Sequence, residues 1–270
     1  MITFRGIKVY STLVKNALSK SGLPDLDYAL NPYIGCGHGC IYCYARLYTR
    51  NDLVSANWGK IVVVKSNIVN VLLREVKRLK PGIVGVGTIT DAYQPVEAVY
   101  KLTRKSIEVL INNEFNVSIQ TKNPLVTRDI DLFTKKPGKI DIGFTITTLN
   151  NELSAYLEPN APPPKARINA LKRIAEHGIK TWIFYGPIIP GLNDDEYTIS
   201  NIVEVAKEVE STLYYDPLHI KSFMNKQDHP LYKYIKSKTR EWWQKTRRII
   251  LDYCEKYRLI CKSGFAGDSY

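Results

Sequence analysis

The spacing of three cysteines constrains this chain more than any other feature it carries. Cys36, Cys40 and Cys43, three of its five cysteines, fall within eight residues as C-x3-C-x2-C, inside the stretch NPYIGCGHGCIYCYARLYTR from Asn31 to Arg50. Thiolates so spaced on one loop converge on a soft metal centre, because sulfur ligands select zinc, copper(I) or iron–sulfur clusters. Gly35, Gly37 and Gly39 alternate through the loop, supplying backbone angles that let a chain wrap a cluster and point amide N–H groups at its sulfurs. Three buried structural cysteines would need neither that spacing nor those glycines. A closed zinc site normally takes four protein ligands. His38 is a candidate fourth, but it lies awkwardly between two of the cysteines, and no second C-x2-C pair follows downstream. A [4Fe–4S] cube held by three cysteines, with one iron open to a substrate or cofactor, fits the motif better.

The rest of the chain must position that loop, and it alternates short β-branched runs with longer helical patterns. Strands are expected at Asp27–Asn31, just before the cysteines, and at Ile83–Thr90, Asn116–Gln120, Ile140–Thr147, Thr181–Tyr185 and Leu213–Ile220, with Lys60–Lys65 a further strand or hairpin arm. Helices are expected at Ile68–Leu79, stopped by Pro81-Gly82, and at Val96–Asn112, Pro124–Phe133, Ala166–His177 and Ile199–Val209, the last capped by Asn193 with Glu196 three residues on. A long C-terminal helix follows, with Trp242, Thr246, Ile249, Tyr253 and Tyr257 along one stripe and Cys254 in its core face. Six strands alternating with helices imply an α/β protein with a parallel sheet and right-handed crossovers, and function at the strands' C-terminal ends. An open doubly wound sheet and an incomplete barrel satisfy that periodicity equally. Gly82, Gly85 and Gly87 precede no helix start suited to a pyrophosphate and read as strand packing.

Composition bounds the functional classes. No run of about 18 apolar residues occurs, which argues against a membrane span, and MITFRGIKVY lacks the layout of a signal peptide, so the expected location is cytoplasmic. Clustered free thiols fit a reducing compartment, where structural disulfides are rare. The chain carries 38 basic and 26 acidic residues, a net charge of +12. Between Lys221 and Lys262 twelve basic residues face four acidic ones, interleaved with Tyr232, Tyr234, Trp242, Trp243 and Tyr257. A phosphate-binding face with stacking side chains looks like this, and so does a solvated helix face.

The strand ends carry a second set of signals: Thr90-Asp91-Ala92-Tyr93-Gln94-Pro95-Val96-Glu97, Thr121-Lys122-Asn123-Pro124, Thr145-Ile146-Thr147-Thr148, Leu157-Glu158-Pro159, and Pro187-Ile188-Ile189-Pro190-Gly191-Leu192-Asn193. Singly these are turn chemistry. The combination NPYxGCxHGCxYCYAR, TDxYQPxE, TKxP, LEPxAPxP and PxIPGLND resembles the spore photoproduct lyase-like, or DNA repair photolyase, branch of the radical S-adenosylmethionine (SAM) superfamily, over roughly residues 30 to 200. The resemblance implies a partial (β/α)6 TIM-type barrel over residues 1–220, with a basic C-terminal helical extension over 221–270 packed on it. It also implies a [4Fe–4S] cluster on Cys36, Cys40 and Cys43, SAM as cosubstrate or regenerated cofactor, and an electron donor such as ferredoxin or flavodoxin. A 5′-deoxyadenosyl radical would abstract hydrogen from a substrate, nucleic acid by the family's example.

Within that resemblance, Tyr42 matches the aromatic whose backbone meets the adenine, and Ile188 an apolar wall beside it. Asp91 suits the ammonium of SAM and Lys122 its carboxylate. Thr145 and Thr147 suit the ribose or simply fill a strand, and Arg167 pairs with Glu158 or reaches the cofactor. One departure stands out: spore photoproduct lyases carry a hydrogen-donating cysteine near the end of the strand that here reads GVGTITDAYQP, where this chain has none. Cys261 or a tyrosine is then the candidate hydrogen donor. Two other readings stay open: the same radical chemistry on a peptide, lipid or metabolite, and a non-catalytic zinc-dependent nucleic-acid-binding module using His38.

Overall fold

The computed structural model describes residues 2–264, and among them twelve strands form two sheets. In chain order the first seven are β1 (Ile2–Phe4), β2 (Ile7–Thr12), β3 (Leu18–Lys20), β4 (Tyr28–Leu30), β5 (Tyr33–Ile34), β6 (Ile61–Lys65) and β7 (Ile83–Val86). They are followed by β8 (Asn116–Thr121), β9 (Ile140–Thr145), β10 (Lys180–Ile188), β11 (Thr212–Pro217) and β12 (Cys261–Ser263). The larger sheet runs β12-β11-β10-β9-β8-β7-β4-β3. Every neighbouring pair from β4 to β12 is parallel, and β3 lies antiparallel on the β4 edge. The strands follow one another in chain order across the sheet, without the reversal that marks a doubly wound fold. The architecture is therefore the α/β, partial-barrel kind, with β4, β7, β8, β9, β10 and β11 where six strands were expected. The smaller sheet, β1-β2-β6-β5, is a feature that strand periodicity did not reveal apart from β6.

The two faces of the large sheet differ in chemistry because side chains alternate along each strand. Val117 and Ile119 on β8, Ile142 and Phe144 on β9, Ile183 and Tyr185 on β10, and Leu213 and Tyr215 on β11 belong to the main core. The helices Leu102–Asn112, Pro164–Glu176, Glu196–Glu208 and Arg240–Lys256 contribute their apolar faces to that core. The alternate positions are polar or aromatic: Ser118 Oγ and Trp182 Nε1 both donate to Asp141 Oδ1 at 2.7 Å, and the Trp182 and Tyr214 rings meet edge-on at 5.4 Å.

Several boundaries differ from the expected ones, each for a local reason. The segment Pro124–Phe133 is a 3-10 turn over Pro124–Asp129 followed by one α-turn, Ile130–Phe133. The cap of helix Glu196–Glu208 is Asp195, whose Oδ1 accepts from Thr198 N at 2.8 Å. Asn193 is instead fully buried, accepting from Ile189 N and donating to the carbonyls of Thr147 and Pro187. On Arg240–Lys256 the buried stripe is Trp243, Thr246, Ile250 and Cys254. Trp242, Ile249, Tyr253 and Tyr257 flank it half-buried, with Tyr253 and Tyr257 donating their hydroxyls to Glu196 and Glu204, because a phenol covers core with its ring and keeps its tip wet. After that helix the chain returns to the sheet as β12. No helix among the described residues is long and apolar enough to cross a membrane.

Candidate active site

β4 runs through the short β5 into the cysteine loop at the C-terminal end of the large sheet. Cys36 and Cys40 are buried, Cys43 is half-buried, and all three are free thiols. Burial first, and charge on neighbouring sulfurs after it, raises the pKa of Cys40 and pushes that of Cys43 up to about 12. Sulfurs that resist ionisation in one another's company lose that resistance when a cationic centre sits between them. Among the described residues no three His, Cys, Asp or Glu side chains are gathered as around a single metal ion. A cluster takes one thiolate per iron and spaces its ligands more widely, so the donor set fits a [4Fe–4S] cube.

Side chains from distant segments hold this loop in shape. Gly37 N donates to Gln94 Oε1 at 2.9 Å, and Gln94 Nε2 and Thr90 Oγ1 both donate to the Gly35 carbonyl, at 3.0 and 2.6 Å. From the other side Asn160 donates through Nδ2 to the Gly37 carbonyl and through its backbone N–H to that of His38, at 3.0 and 3.1 Å. Gln94 and Asn160 were not among the expected site residues. Their partners lie 57 and 123 positions away, and the one sequence signal was that the TDxYQPxE and LEPxAPxP segments are more polar than a strand end requires.

Asp91 does not face an open ammonium site. Its oxygens accept from Tyr93 N at 2.8 Å, Thr121 Oγ1 at 2.6 Å and Lys122 N at 2.8 Å, and His38 Nδ1 lies 3.3 Å away. Burial works against its charge, but His38 and these donors outweigh that and hold the carboxyl down to about 2. Asp91 thus serves the strand-end backbone and His38. His38 is 1% exposed, beside Cys36, and its Nε2 is buried without a hydrogen-bond partner. The ring lies beside the Cys36 thiol, one of the three candidate cluster ligands.

The next side chains are arranged around Glu158, which is fully buried. Arg167, also buried, forms an ion pair with Glu158 Oε2 and donates to the carbonyls of Pro162 and Thr145 at 2.7 and 3.1 Å. Of the two roles considered for Arg167, the structure shows the ion pair: its donors are spent inside the protein. The Tyr42 hydroxyl donates to Glu158 Oε1, and the Thr147 hydroxyl lies 2.9 Å from the same oxygen. Lys122 Nζ stands 4.0 Å from that carboxylate and 5.8 Å from the centre of the Tyr42 ring. Burial opposes the charge on Lys122, but Cys40 and Glu158 outweigh it and raise the pKa, so the ammonium is retained beside the cysteines. Thr145 is buried and accepts from Gln120 Nε2 at 3.0 Å, and Thr147 is fully buried against Glu158. Both threonine hydroxyls have protein partners. Ile188, fully buried at the end of β10, is part of the core wall.

Cys261 falls elsewhere. It is joined to Cys254 by a disulfide and pairs in register with Leu213, near the start of β11, so it lies at the opposite end of the parallel sheet from the cysteine loop. A disulfide sulfur has no S–H hydrogen to return, which corrects the expectation that Cys261 is a hydrogen donor. Cys254 sits in the core as expected.

Comparison with known proteins agrees with this geometry. The family model described as the radical SAM superfamily matches residues 30–200. An uncharacterized protein of Methanocaldococcus jannaschii is 36% identical over 239 residues, covering 86% of this chain and 88% of its own. An uncharacterized protein of Acidianus two-tailed virus is 31% identical over 206 residues, covering 73% and 67%. Among solved structures, spore photoproduct lyase complexed with dinucleoside spore photoproduct superposes with a TM-score of 0.68 at 15% identity, over 94% of this chain and 81% of that one. Streptococcus suis SuiB bound to S-adenosylmethionine gives 0.60 at 13% identity, over 87% and 49%. At these identities the two structures speak for the fold.

Proposed function

The chain belongs to the radical S-adenosylmethionine superfamily, and from that premise we propose that it directs a 5′-deoxyadenosyl radical onto nucleic acid. The enzyme uses a [4Fe–4S] cluster and SAM, as its family does. The chemistry the bound group supplies is one-electron reductive cleavage of the sulfonium, giving methionine and the radical. In our reading Cys36, Cys40 and Cys43 hold the cluster as thiolates, and Gln94, Thr90 and Asn160 keep their loop shaped for it. Lys122 takes the methionine carboxylate, Glu158 and Arg167 keep that lysine and Tyr42 in place, and Ile188 walls the adenine. The observation that carries the reading is the gathering of three free thiols on one loop at the C-terminal ends of the parallel strands, with Lys122 held 4.0 Å from the buried Glu158 carboxylate beside them.

The radical reading is tested by reconstituting the protein anaerobically and reducing it. It should convert SAM to 5′-deoxyadenosine and methionine, and Cys40→Ala should abolish both the conversion and the broad iron–sulfur absorption. Cleavage by a Cys40→Ala protein with an intact cluster would sink the assignment.

The substrate reading draws on residues 221–238. They pack against the cysteine loop: His229 Nε2 donates to the Ile41 carbonyl at 3.2 Å, Tyr156 donates to Pro230 O at 3.1 Å, and Met224, Leu231 and Ile235 join Ile41 and Tyr42 in one apolar cluster. The same segment carries exposed Lys226, Lys233 and Lys236, with half-buried Tyr232 and Tyr234 among them. Cations interleaved with aromatics suit a phosphate backbone and its bases. Binding to single- or double-stranded oligonucleotides should weaken steeply with salt, and deuterium from labelled nucleic acid should appear in 5′-deoxyadenosine. No binding at low salt, with tight binding to a peptide or metabolite instead, would move the reading to that substrate class.

A further inference from the structure

The surface just outside Cys43 differs from the rest of the loop's surroundings. Cys43 is the outermost of the three free cysteines. Directly after it come two short helices, Ala45–Tyr48 and Asp52–Ala56, tied together by Ser55 Oγ donating to the Arg46 carbonyl at 2.7 Å. On them Leu47, Tyr48 and Leu53 stand 49%, 60% and 55% exposed. The chain then doubles back against the cysteine loop, where a Cβ on Gly59 would lie 2.8 Å from the Gly39 Cα. The two helices and this turn are therefore the outer wall of the cysteine loop. Its rim is basic: Arg46, Arg50 and Lys60 against Asp52. The Arg46 guanidinium lies over the Phe223 ring at 4.5 Å.

An exposed apolar patch with a charged rim marks a protein interaction site. Positive charge around it selects an acidic partner, and a second copy of a chain carrying +12 would be repelled. Tyr44 packs edge-on against Tyr48 at 5.8 Å, and the two leucines beside them offer a base no stacking face. The radical reading above, on which this inference rests, requires one electron per turnover from outside the molecule, and tunnelling favours the shortest path to a cluster. We propose that the face formed by Leu47, Tyr48, Leu53 and Arg50 docks a small acidic one-electron carrier protein that reduces the cluster from the Cys43 side. In that step the carrier is oxidised by one electron and the cluster goes from 2+ to 1+. No covalent bond changes and no proton moves.

Leu47→Glu and Arg50→Glu, both at exposed positions, test it with reduced flavodoxin as the probe. Flavodoxin should bind the cluster-loaded protein, less tightly as salt rises, and each variant should weaken the dissociation constant at least tenfold. The flavodoxin concentration for half-maximal SAM cleavage should rise by a similar factor, while cleavage driven by dithionite stays unchanged. Equal flavodoxin binding and rate in wild type and variants would overturn the proposal, as would no binding to the wild type. So would loss of oligonucleotide binding with flavodoxin untouched, which would give the patch to the substrate. Failure of dithionite to drive cleavage in the wild type would instead break the radical reading, and the binding measurement would still decide the docking face.

Discussion

At the scale of single residues, the buried Lys122–Glu158–Arg167 group has the largest energetic consequences. A carboxylate taken out of water is tolerated only while paired, and removing one partner of a buried ion pair costs about 3–5 kcal/mol because the other charge is left uncompensated. Glu158→Gln keeps the shape but leaves Arg167 buried without its counter-charge, so denaturant unfolding of the cluster-free protein should show a loss in that range. A loss under about 1 kcal/mol would mean that water reaches the pair. Lys122→Ala asks a different question, since Arg167 still neutralises Glu158. It should raise the SAM dissociation constant roughly 10- to 150-fold, the equivalent of about 1.5–3 kcal/mol for a hydrogen bond to a charged group, with iron content unchanged. An unchanged dissociation constant would make Lys122 structural. The three cysteines were legible in the sequence because their spacing is itself local. Asp91 was read toward a ligand and Arg167 was left between Glu158 and the cofactor, because a charged residue near a strand end looks the same in a sequence whether it faces a ligand or a buried partner many positions away.

Elements show the same division between local and distant information. Six of the eight strands of the large sheet, β4 and β7 to β11, were visible as short strand runs, and the helices of eight residues or more by their apolar spacing, since both depend on periodicity within a few residues, whereas the three-residue edge strands β3 and β12 were not. β5 was not, having two residues, and the cap of helix Glu196–Glu208 was placed two residues early because Asn193 and Asp195 are equally good caps on paper. Burial decided between them: Asn193 was drawn into the core to bond Ile189 and Thr147, leaving the cap to Asp195. The cysteine loop belongs to this scale too, since its shape comes from Gln94 and not from the loop alone. Gln94→Leu, similar in size, removes the acceptor of Gly37 N and a donor to Gly35 O while keeping the buried volume. Unsatisfied buried groups cost about 1–3 kcal/mol each, and the loop should relax to find water. Iron bound per chain after reconstitution should fall well below wild type, with the far-ultraviolet circular dichroism preserved. Full iron loading would show that the loop holds its shape unaided.

For the whole molecule, the question is what the last forty residues contribute, and the disulfide answers part of it. Composition pointed to a compartment in which structural disulfides are rare, and nothing local announces that β12 returns to the sheet beside the end of helix Arg240–Lys256. Three cysteines in the cluster loop and two in the disulfide account for every cysteine in the chain. A hydrogen return therefore has no free thiol to draw on, and the strand that carries one in spore photoproduct lyases has none here. If Cys254–Cys261 is a staple holding the sheet edge, at the end remote from the chemistry, the double variant Cys254→Ser/Cys261→Ser should separate stability from activity. Closing a loop of this size is worth about 2–3 kcal/mol by the chain-entropy estimate, so the denaturation midpoint should fall accordingly. SAM cleavage, and any deuterium transfer into 5′-deoxyadenosine, should continue at the wild-type rate. Loss of product formation from a variant with a full cluster and normal SAM cleavage would return a thiol at Cys261 to the reaction.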